Sequence, residues 1–229
     1  MKDLAGKVAV VTGGAGGIGT VIMQSLAEEG ATVVCLDIQN ADIHCDVRSD
    51  DSVRDAIAEV LKQHRRIDIV VHAAGISRDA VVWKLSVDDW DLVQQINLRG
   101  AFLLIRHAVP AMRENGGRIV LIGSINGSRG KFGTSAYAAS KAGLLGLAKS
   151  VSRETGHFGI LVNVVEPGWV RTPLTEKLPE SVQQQAVSET LLGELVEPED
   201  VAAAVVFLSG SGSRRMTGQI LRVDAGQYL

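Results

Sequence analysis

The fold of this chain is decided by the stretch VAVVTGGAGGIG, residues 8–19, in which a run of apolar residues leads into a cluster of glycines. Residues 7–12 predict a buried strand, and the helical pattern through residues 23–29 predicts that a helix follows the glycines. Glycines allow a tight turn here and let a pyrophosphate approach the helix N-terminus, where free N–H groups and the helix dipole favour negative charge. A nucleotide-binding turn is therefore predicted between the first strand and the first helix.

Short β-branched runs alternate with longer helical stretches along the rest of the chain. Six further strands are predicted, at residues 31–37, 43–45, 68–72, 118–122, 160–165 and 219–223. A helix is expected at residues 51–64, with Ser49 as its N-cap. Continuous apolar strands separated by helices signal a parallel sheet covered on both faces, and crossovers between such strands are right-handed. We therefore predict an α/β fold with one Rossmann-fold domain over residues 1–229, built on a doubly wound parallel sheet of about seven strands.

The composition is that of an ordinary globular protein, with 46% apolar residues, 21% charged residues and a net charge of −3. The chain has no polybasic tract, so a nucleic-acid partner is not expected. It has no apolar run long enough to span a membrane and no signal-like N-terminus, which favours a cytoplasmic protein without a membrane partner. Cys35 and Cys45 are predicted to be free thiols, and no His, Cys or acidic spacing suggests a metal site.

The least regular part of the sequence is residues 167–198, which hold four of the five prolines. Proline interrupts both helices and central strands, so long regular elements are not expected there. A mobile loop with short helices is predicted for this stretch.

The second predicted strand ends at Asp37, and an acidic residue at this place completes the context of a dinucleotide-binding turn. Its carboxylate can accept hydrogen bonds from the ribose 2′- and 3′-hydroxyls, and it would repel a 2′-phosphate by about 1 kcal/mol or more. The glycine loop contains no Arg or Lys that could offset this repulsion. NAD(H) is therefore predicted over NADP(H); the plain alternative is that Asp37 only caps a turn.

A possible reaction centre lies in SAYAASKAGLL, residues 135–145, where Tyr137 and Lys141 are four residues apart. In a helix these two side chains would stand next to each other. Taken alone, such a pair is most often an ordinary surface feature of an amphipathic helix. Ser124, however, follows the fifth predicted strand, and residues that leave the carboxyl end of a central strand face the ligand-binding crevice of doubly wound folds.

The glycine cluster fits two spacings, Gly14-x-Gly16-x-x-Gly19 and Thr12-Gly13-x-x-x-Gly17-Ile18-Gly19. The second spacing is the motif of the short-chain dehydrogenase/reductase family, which this chain resembles from end to end. The later motifs of this chain also occur in the same order along the sequence as in that family. By this resemblance the catalytic residues are Asn97, Ser124, Tyr137 and Lys141.

The resemblance also implies which residues contact the cofactor and the substrate. The cofactor-binding residues would be Gly13, Ala15, Gly17, Ile18, Gly19, Asp37, Ile38, Asp46, Val47, Ala74, Gly75, Tyr137, Lys141, Gly168, Val170 and Thr172. The substrate-binding residues would be Ser124, Tyr137 and Trp169, although Trp169 could equally pack beneath its loop. Residues 72–75 read His-Ala-Ala-Gly where the family usually has Asn-Asn-Ala-Gly, so Ala73 is expected to cost this loop a side-chain hydrogen bond.

The chemistry implied by the resemblance is hydride transfer between a secondary alcohol and its ketone. Tyr137 would exchange the proton, and its ordinary pKa of roughly 10 would have to be lowered by Lys141 together with the positive nicotinamide of the oxidised cofactor. Lys141 would also bind the nicotinamide ribose, and Ser124 would polarise the carbonyl oxygen. Asn97 would hold a water that links Lys141 to solvent.

In overall look the chain is most similar to bacterial 3-oxoacyl thioester reductases. Asn115 and Phe158 stand where those reductases carry basic residues for an acyl carrier protein, and Arg129, Lys131 and Arg171 either meet an anionic group or are solvated charges. The alternatives are a dehydrogenase of a cyclic alcohol, polyol or steroid, and a non-catalytic nucleotide-sensing protein. Relatives form tetramers through the helices that correspond to residues 93–112 and 136–156, so a homotetramer is expected.

Overall fold

The computed structural model describes residues 2–172, 175 and 179–229. Its strands are β1 Val8–Thr12, β2 Thr32–Asp37, β3 Ile43–His44, β4 Ile69–His72, β5 Gly117–Ile122, β6 Ile160–Pro167 and β7 Ile220–Val223. All pairings between them are parallel, and the order across the sheet is β3-β2-β1-β4-β5-β6-β7. The chain therefore winds outward from β1 in both directions, which confirms the predicted doubly wound sheet.

Helices connect these strands and cover both faces of the sheet. They are α1 Gly17–Glu28, α2 Asp50–His64, α3 Val87–Gln94, α4 Gly100–Met112, α5 Ile125–Arg129, α6 Ser135–Thr155, α7 Glu180–Ser188 and α8 Pro198–Ser209. A π-helical turn, Gln95–Arg99, joins α3 to α4 without a break. No helix of the described ranges has the length and apolar character needed to cross a membrane.

The side chains of β1 show how the core is divided between the two faces. Val8 and Val10 point to one face and pack with the cluster that contains residues of α2, α4 and α6. Ala9 and Val11 point to the other face and pack with residues of α1 and α8. Because successive strand residues alternate between faces, a strand buried on both sides reads as a continuous apolar run, as the sequence analysis assumed.

The crevice of the sheet opens at the carboxyl ends of β1 and β4, where the direction of winding reverses. Thr12 at the end of β1 is paired with Leu36 of β2 on one side and with His72 of β4 on the other. Ligands of doubly wound folds bind outside such a switch point. The glycine cluster follows Thr12 directly, so the fold places it at this crevice.

The observed boundaries lie close to those predicted, with instructive differences. The first helix starts at Gly17, earlier than the predicted pattern, because the last glycines of the cluster already form its first turn. Ser49 is confirmed as the N-cap of α2, with its hydroxyl accepting the backbone N–H of Ser52. β6 runs on to Pro167. A proline is tolerated as the last residue of a strand, because its missing N–H interrupts no hydrogen bond within the strand.

The stretch 167–198 contains one of the expected short helices, α7. Residues 173, 174 and 176–178 of this stretch lie outside the described part of the chain. The predicted mobility of the stretch is therefore kept as a prediction.

Candidate active site

The glycine turn is packed so closely that side chains are excluded from two of its positions. Gly13 has a φ of +70°, and a Cβ on it would lie 2.5 Å from the backbone nitrogen of Ala74. A Cβ on Gly19 would lie 2.1 Å from the carbonyl oxygen of Gly13. Gly16 precedes α1 and has no side chain that could cap the helix. The first N–H groups of α1 are therefore available to a ligand. This arrangement fits the pyrophosphate of a dinucleotide.

Asp37 lies at the rim of the glycine turn, as its place at the end of β2 requires. Its carboxylate accepts the backbone N–H of Ala15 at 3.2 Å and that of Ile38 at 2.7 Å. Ile38 is 56% exposed, so the space beside the carboxylate is open. A carboxylate in this position suits ribose hydroxyls and disfavours a phosphate.

Asp46 and Val47, two of the predicted cofactor-binding residues, differ in their surroundings. Val47 is buried, and a Cβ added to Gly100 would lie 3.0 Å from the Cβ of Val47. Asp46 is bound through both carboxylate oxygens by Arg48, whose hydrogen bonds lower the pKa of Asp46 despite the opposing effect of burial. The sequence analysis did not single out Arg48, although a basic residue two positions after an acid is a recognisable signal for such a pair.

His72 at the end of β4 is fully buried and makes two hydrogen bonds. Its Nε2 lies 3.2 Å from the carbonyl oxygen of Asn97, and its Nδ1 lies 2.9 Å from the hydroxyl of Thr12. Because a carbonyl can only accept, Nε2 carries the proton and Nδ1 accepts from Thr12. Burial, together with the nearby Lys141, lowers the pKa of His72 to about 3, so the ring is neutral. The loop that Ala73 was expected to weaken is thus held by its neighbour His72.

Asn97 lies in the π-helical turn and has every side-chain polar atom engaged. Its Oδ1 accepts the N–H of Ile76 at 2.8 Å, while its Nδ2 donates to the carbonyl of Ile76 and to the hydroxyl of Ser140, each at 2.9 Å. A Cβ on Gly75 would lie 3.3 Å from Nζ of Lys141 and 3.4 Å from Oδ1 of Asn97. The structure therefore brings Asn97 and Lys141 together around Gly75.

Ser124, Tyr137 and Lys141 are also brought together. Ser124 is the N-cap of α5, where its hydroxyl accepts the backbone N–H of Asn126 at 3.2 Å, and it lies near enough to the Tyr137 phenol to lower the pKa of that phenol. Nζ of Lys141 lies 5.6 Å from the centroid of the Tyr137 ring and donates to the carbonyl of Ile122 at 2.7 Å. Lys141 is only 4% exposed, so its charge is held inside the protein beside the ring.

The electrostatics of this pair differ from the sequence expectation in one respect. Burial raises the pKa of the Tyr137 phenol; the hydroxyl of Ser124 opposes this effect, and Asp79 adds to it. Burial also lowers the pKa of Lys141 to about 8. The protein's own groups therefore favour the protonated phenol, because desolvation has the largest effect on its pKa. The expectation that Lys141 lowers the pKa of Tyr137 together with the nicotinamide stays a prediction.

The turn that follows β6 carries the remaining predicted cofactor contacts. A Cβ on Gly168 would lie 2.8 Å from Cα of Asp224, and the buried Val170 forms an isolated bridge with Val196. The hydroxyl of Thr172 lies 3.2 Å from that of Thr175, a residue that the sequence analysis missed. Thr175 also accepts the backbone N–H of Thr172 at 2.8 Å, so these two threonines hold each other.

Trp169, in the turn that follows β6, is half-buried. Nζ of Lys131 stands 4.6 Å from the centroid of its ring, a cation–π contact. The backbone N–H of Trp169 donates to the side-chain oxygen of Gln227 at 2.9 Å. Its indole N–H has no hydrogen-bond partner among the described residues. The sequence analysis did not foresee Gln227, because the residue is nearly sixty positions away.

The doubly wound sheet and the glycine turn at its switch point define a dinucleotide-binding protein. A family model described as enoyl-(acyl carrier protein) reductase matches residues 13–227. The chain belongs to the short-chain dehydrogenase/reductase family of oxidoreductases, whose members use a nicotinamide cofactor.

Similar proteins come from several substrate classes. The chain is 37% identical to a 3-oxoacyl-[acyl-carrier-protein] reductase FabG of Thermotoga maritima, with 99% of each chain covered. It is 37% identical to a (3R)-3-hydroxyacyl-CoA dehydrogenase of Canis lupus familiaris, covering 99% of this chain and 98% of that protein. Among solved structures, the aldohexose dehydrogenase of Thermoplasma acidophilum matches with a TM-score of 0.93 and 31% identity, covering 99% of this chain and 95% of the other.

Proposed function

We propose that this protein is an NAD(H)-dependent oxidoreductase that interconverts a secondary alcohol and its ketone, with a 3-hydroxyacyl thioester as the first candidate substrate. The observation that carries the proposal is the phenol of Tyr137, which lies near the hydroxyl of Ser124 and next to the buried ammonium of Lys141. This group stands on elements that leave the carboxyl end of the sheet, beside a turn suited to a dinucleotide. The intact group disfavours the alternative of a nucleotide sensor without catalysis.

The residues divide the proposed reaction between them. The nicotinamide, when bound, supplies or accepts the hydride. Ser124 hydrogen-bonds the carbonyl oxygen of the substrate, and Tyr137 donates a proton to that oxygen in reduction or removes it in oxidation. Lys141 binds the ribose hydroxyls and stabilises the phenolate of Tyr137 when it forms. Asn97 keeps the loop after β4 in place and, through the predicted water, connects Lys141 to solvent.

The thioester proposal rests on the charges at the substrate side. Arg129 is paired with Glu189 at 3.1 Å and Arg171 with Glu197 at 2.8 Å, so both charges are compensated. Lys131 lies over Trp169 instead, where its charge can meet an anionic carrier such as the phosphates of CoA. The names of the similar thioester enzymes support the same substrate class.

A screen with purified protein tests the proposed function. Acetoacetyl-CoA with NADH should be turned over faster than a panel of cyclic and secondary alcohols with NAD+. An aldohexose belongs in the panel, because the similar aldohexose dehydrogenase favours a sugar as the second candidate. Preference for the sugar would overturn the thioester assignment, and absence of turnover with every compound would overturn the proposed activity.

The proposed preference for NAD(H) predicts the effect of a charge change at Asp37. Replacing Asp37→Asn removes the like charge, so the ratio of kcat/KM with NADP+ to that with NAD+ should rise about tenfold, which corresponds to about 1.4 kcal/mol. Adding Ile38→Arg at the exposed neighbouring position should raise the ratio further, because the guanidinium can bind the 2′-phosphate. The control is Asp55→Asn, an exposed site on α2. An unchanged ratio in both Asp37 variants would show that the carboxylate does not select the cofactor.

We also propose the homotetramer expected from the sequence. A groove of about 390 Å³ runs over the outer side of the helices assigned to subunit pairing. Its lining residues are Asp91, Gln94, Gln95, Leu98, Arg99, Phe102 and Leu147. Phe102 is 44% exposed, which is typical of an aromatic residue that a second subunit covers. Sedimentation velocity should give a tetramer, and a monomer at micromolar concentration would contradict the proposal. The cytoplasmic location and the absence of nucleic-acid and membrane partners stay predictions.

A further inference from the structure

Gln227 is followed by only two residues of the sequence, yet its side chain is buried beneath the substrate side of the site, with 8% exposed. Its Oε1 accepts the backbone N–H of Trp169 at 2.9 Å, and its Nε2 donates to Oε2 of Glu189 at 2.9 Å. The first partner belongs to the turn after β6 and the second follows α7. Since one partner can only donate and the other can only accept, the orientation of the amide is fixed.

A third segment is connected to this amide through Glu189. The same carboxylate oxygen accepts from Nη2 of Arg129 at 3.1 Å, and Arg129 also donates to Asn126, two residues after Ser124. Burial alone would raise the pKa of Glu189, but the hydrogen bonds from Gln227 and Arg129 outweigh it and the pKa is lowered. Glu189 is therefore a carboxylate at neutral pH, and both donors stabilise its charge.

The backbone around Gln227 contacts the same segments. The N–H groups of Leu191 and Leu192 donate to the carbonyl of Ala225 at 3.0 and 3.2 Å. The N–H of Gly168 donates to the carbonyl of Val223 at 2.9 Å. These bonds keep the C-terminal segment next to the turn after β6 and next to the residues that follow α7, whatever the side chain at position 227. A change of that side chain therefore alters local positions without removing the segment.

We propose that Gln227 is a positioning residue for the reaction, which holds the turn at Trp169, the end of α7 at Glu189 and the Ser124 loop in the arrangement that catalysis requires. The inference rests on the proposed function, because it assigns the substrate side of that same site. None of the three segments is a neighbour of another in sequence, and the single amide satisfies a donor of one and an acceptor of another. A buried amide that connects segments of an active site sets the distances between them. A misplacement of a catalytic group by about 1 Å can lower the rate up to about 100-fold.

The truncation Gln227→Ala should lower kcat about tenfold at every pH, with a smaller change in the KM for cofactor. The matched control is Gln219→Ala at an exposed glutamine next to β7, whose side chain donates a hydrogen bond to the carbonyl of Thr217. The control should keep wild-type kcat. A Gln227→Ala variant with wild-type kcat would overturn the proposal.

The variant Gln227→Glu distinguishes positioning from simple loss of packing, because it gives activity a pH dependence. At pH 8 the new carboxylate faces Glu189 and cannot donate, so kcat should fall more than in Gln227→Ala. At pH 5.5 the two carboxylates can share a proton, which restores the donor, so much of the loss should be recovered. The other charges near this pair are Arg129 and Lys131, which lower the pKa of Glu189, and Asp224, whose carboxylate accepts the backbone N–H groups of Gly226 and Tyr228. Dividing the kcat of the variant by that of wild-type protein at each pH removes the contribution of Tyr137 and Lys141. A ratio that does not change with pH would contradict the proposal.

Amide hydrogen exchange provides a readout that does not depend on turnover. In Gln227→Ala, peptides that contain the amide of Trp169 and the segment 186–192 should exchange several-fold faster than in wild type, whereas Gln219→Ala should not change them. If wild-type protein turns over no substrate, the proposed function fails while the exchange result still tests the connection. If exchange is unchanged in Gln227→Ala, the positioning role is wrong whatever the substrate.

Discussion

Replacing Tyr137 with phenylalanine is expected to lower kcat by about three orders of magnitude while leaving the Kd for NADH within about twofold of wild type. In the proposed reaction the phenol exchanges a proton with the substrate oxygen, and Ser124 lies near it. Phenylalanine keeps the ring beside Lys141, so the helix and the nucleotide turn are left intact. Steady-state kinetics and a fluorescence titration with NADH measure the two quantities separately.

The matched control for this substitution is Tyr228→Phe, because the chain has only two tyrosines. The Tyr228 ring stacks on Arg222 and its backbone accepts from the same guanidinium, and phenylalanine preserves both contacts. This control should retain wild-type kcat. A Tyr137→Phe enzyme that still reduced substrate at the wild-type rate would remove Tyr137 as the acid. A wild-type protein that bound NADH but turned over nothing would favour the nucleotide sensor.

The sheet and the nucleotide turn were predictable because both depend on residues close together in sequence. Apolar runs with helical stretches between them indicate buried parallel strands, and the glycines at residues 13–19 permit a turn that side chains would block. Asp37 was singled out by its place at the end of the second predicted strand, and the pair Tyr137 and Lys141 was assigned to catalysis by resemblance to the family. Local patterns of this kind indicate which backbone conformations are available, and the structure adopts those conformations.

The features that escaped prediction depend on contacts between distant residues. The tautomer of His72 is set by Thr12 and Asn97, which come from two other elements. The burial that raises the pKa of Tyr137 is a property of the packed site and has no signature in the spacing of residues. Gln227 reaches Trp169 across 58 positions. Such contacts require the fold before they can be recognised.

Removal of the buried charge at Lys141 should produce opposite effects on activity and on stability. Lys141→Met keeps the length of the side chain but supplies neither a ribose ligand nor a cation for Tyr137, so kcat/KM should fall by at least about 100-fold. The same substitution should raise the free energy of unfolding at pH 7. Burial lowers the pKa of Lys141 from 10.5 to about 8, which corresponds to a cost of about 3 kcal/mol for the charged folded state. Loss of the hydrogen bond to the carbonyl of Ile122 should destabilise the variant by about 1 kcal/mol, which reduces the net increase in stability.

The pH dependence of unfolding provides the decisive measurement for Lys141. Between pH 8 and 10.5 the unfolded chain holds the lysine proton and the folded protein does not, so the lysine's penalty is fully present below pH 8 and disappears as the pH rises through this window. Urea unfolding of wild type should therefore show a rise in stability across the window that Lys141→Met lacks. Lys149→Met, on the exposed side of the same helix, should behave as wild type. If Lys141→Met were less stable than wild type at pH 7, the buried ammonium would be a stabilising group. The enzyme would then bear no cost in stability for keeping a cation beside its tyrosine.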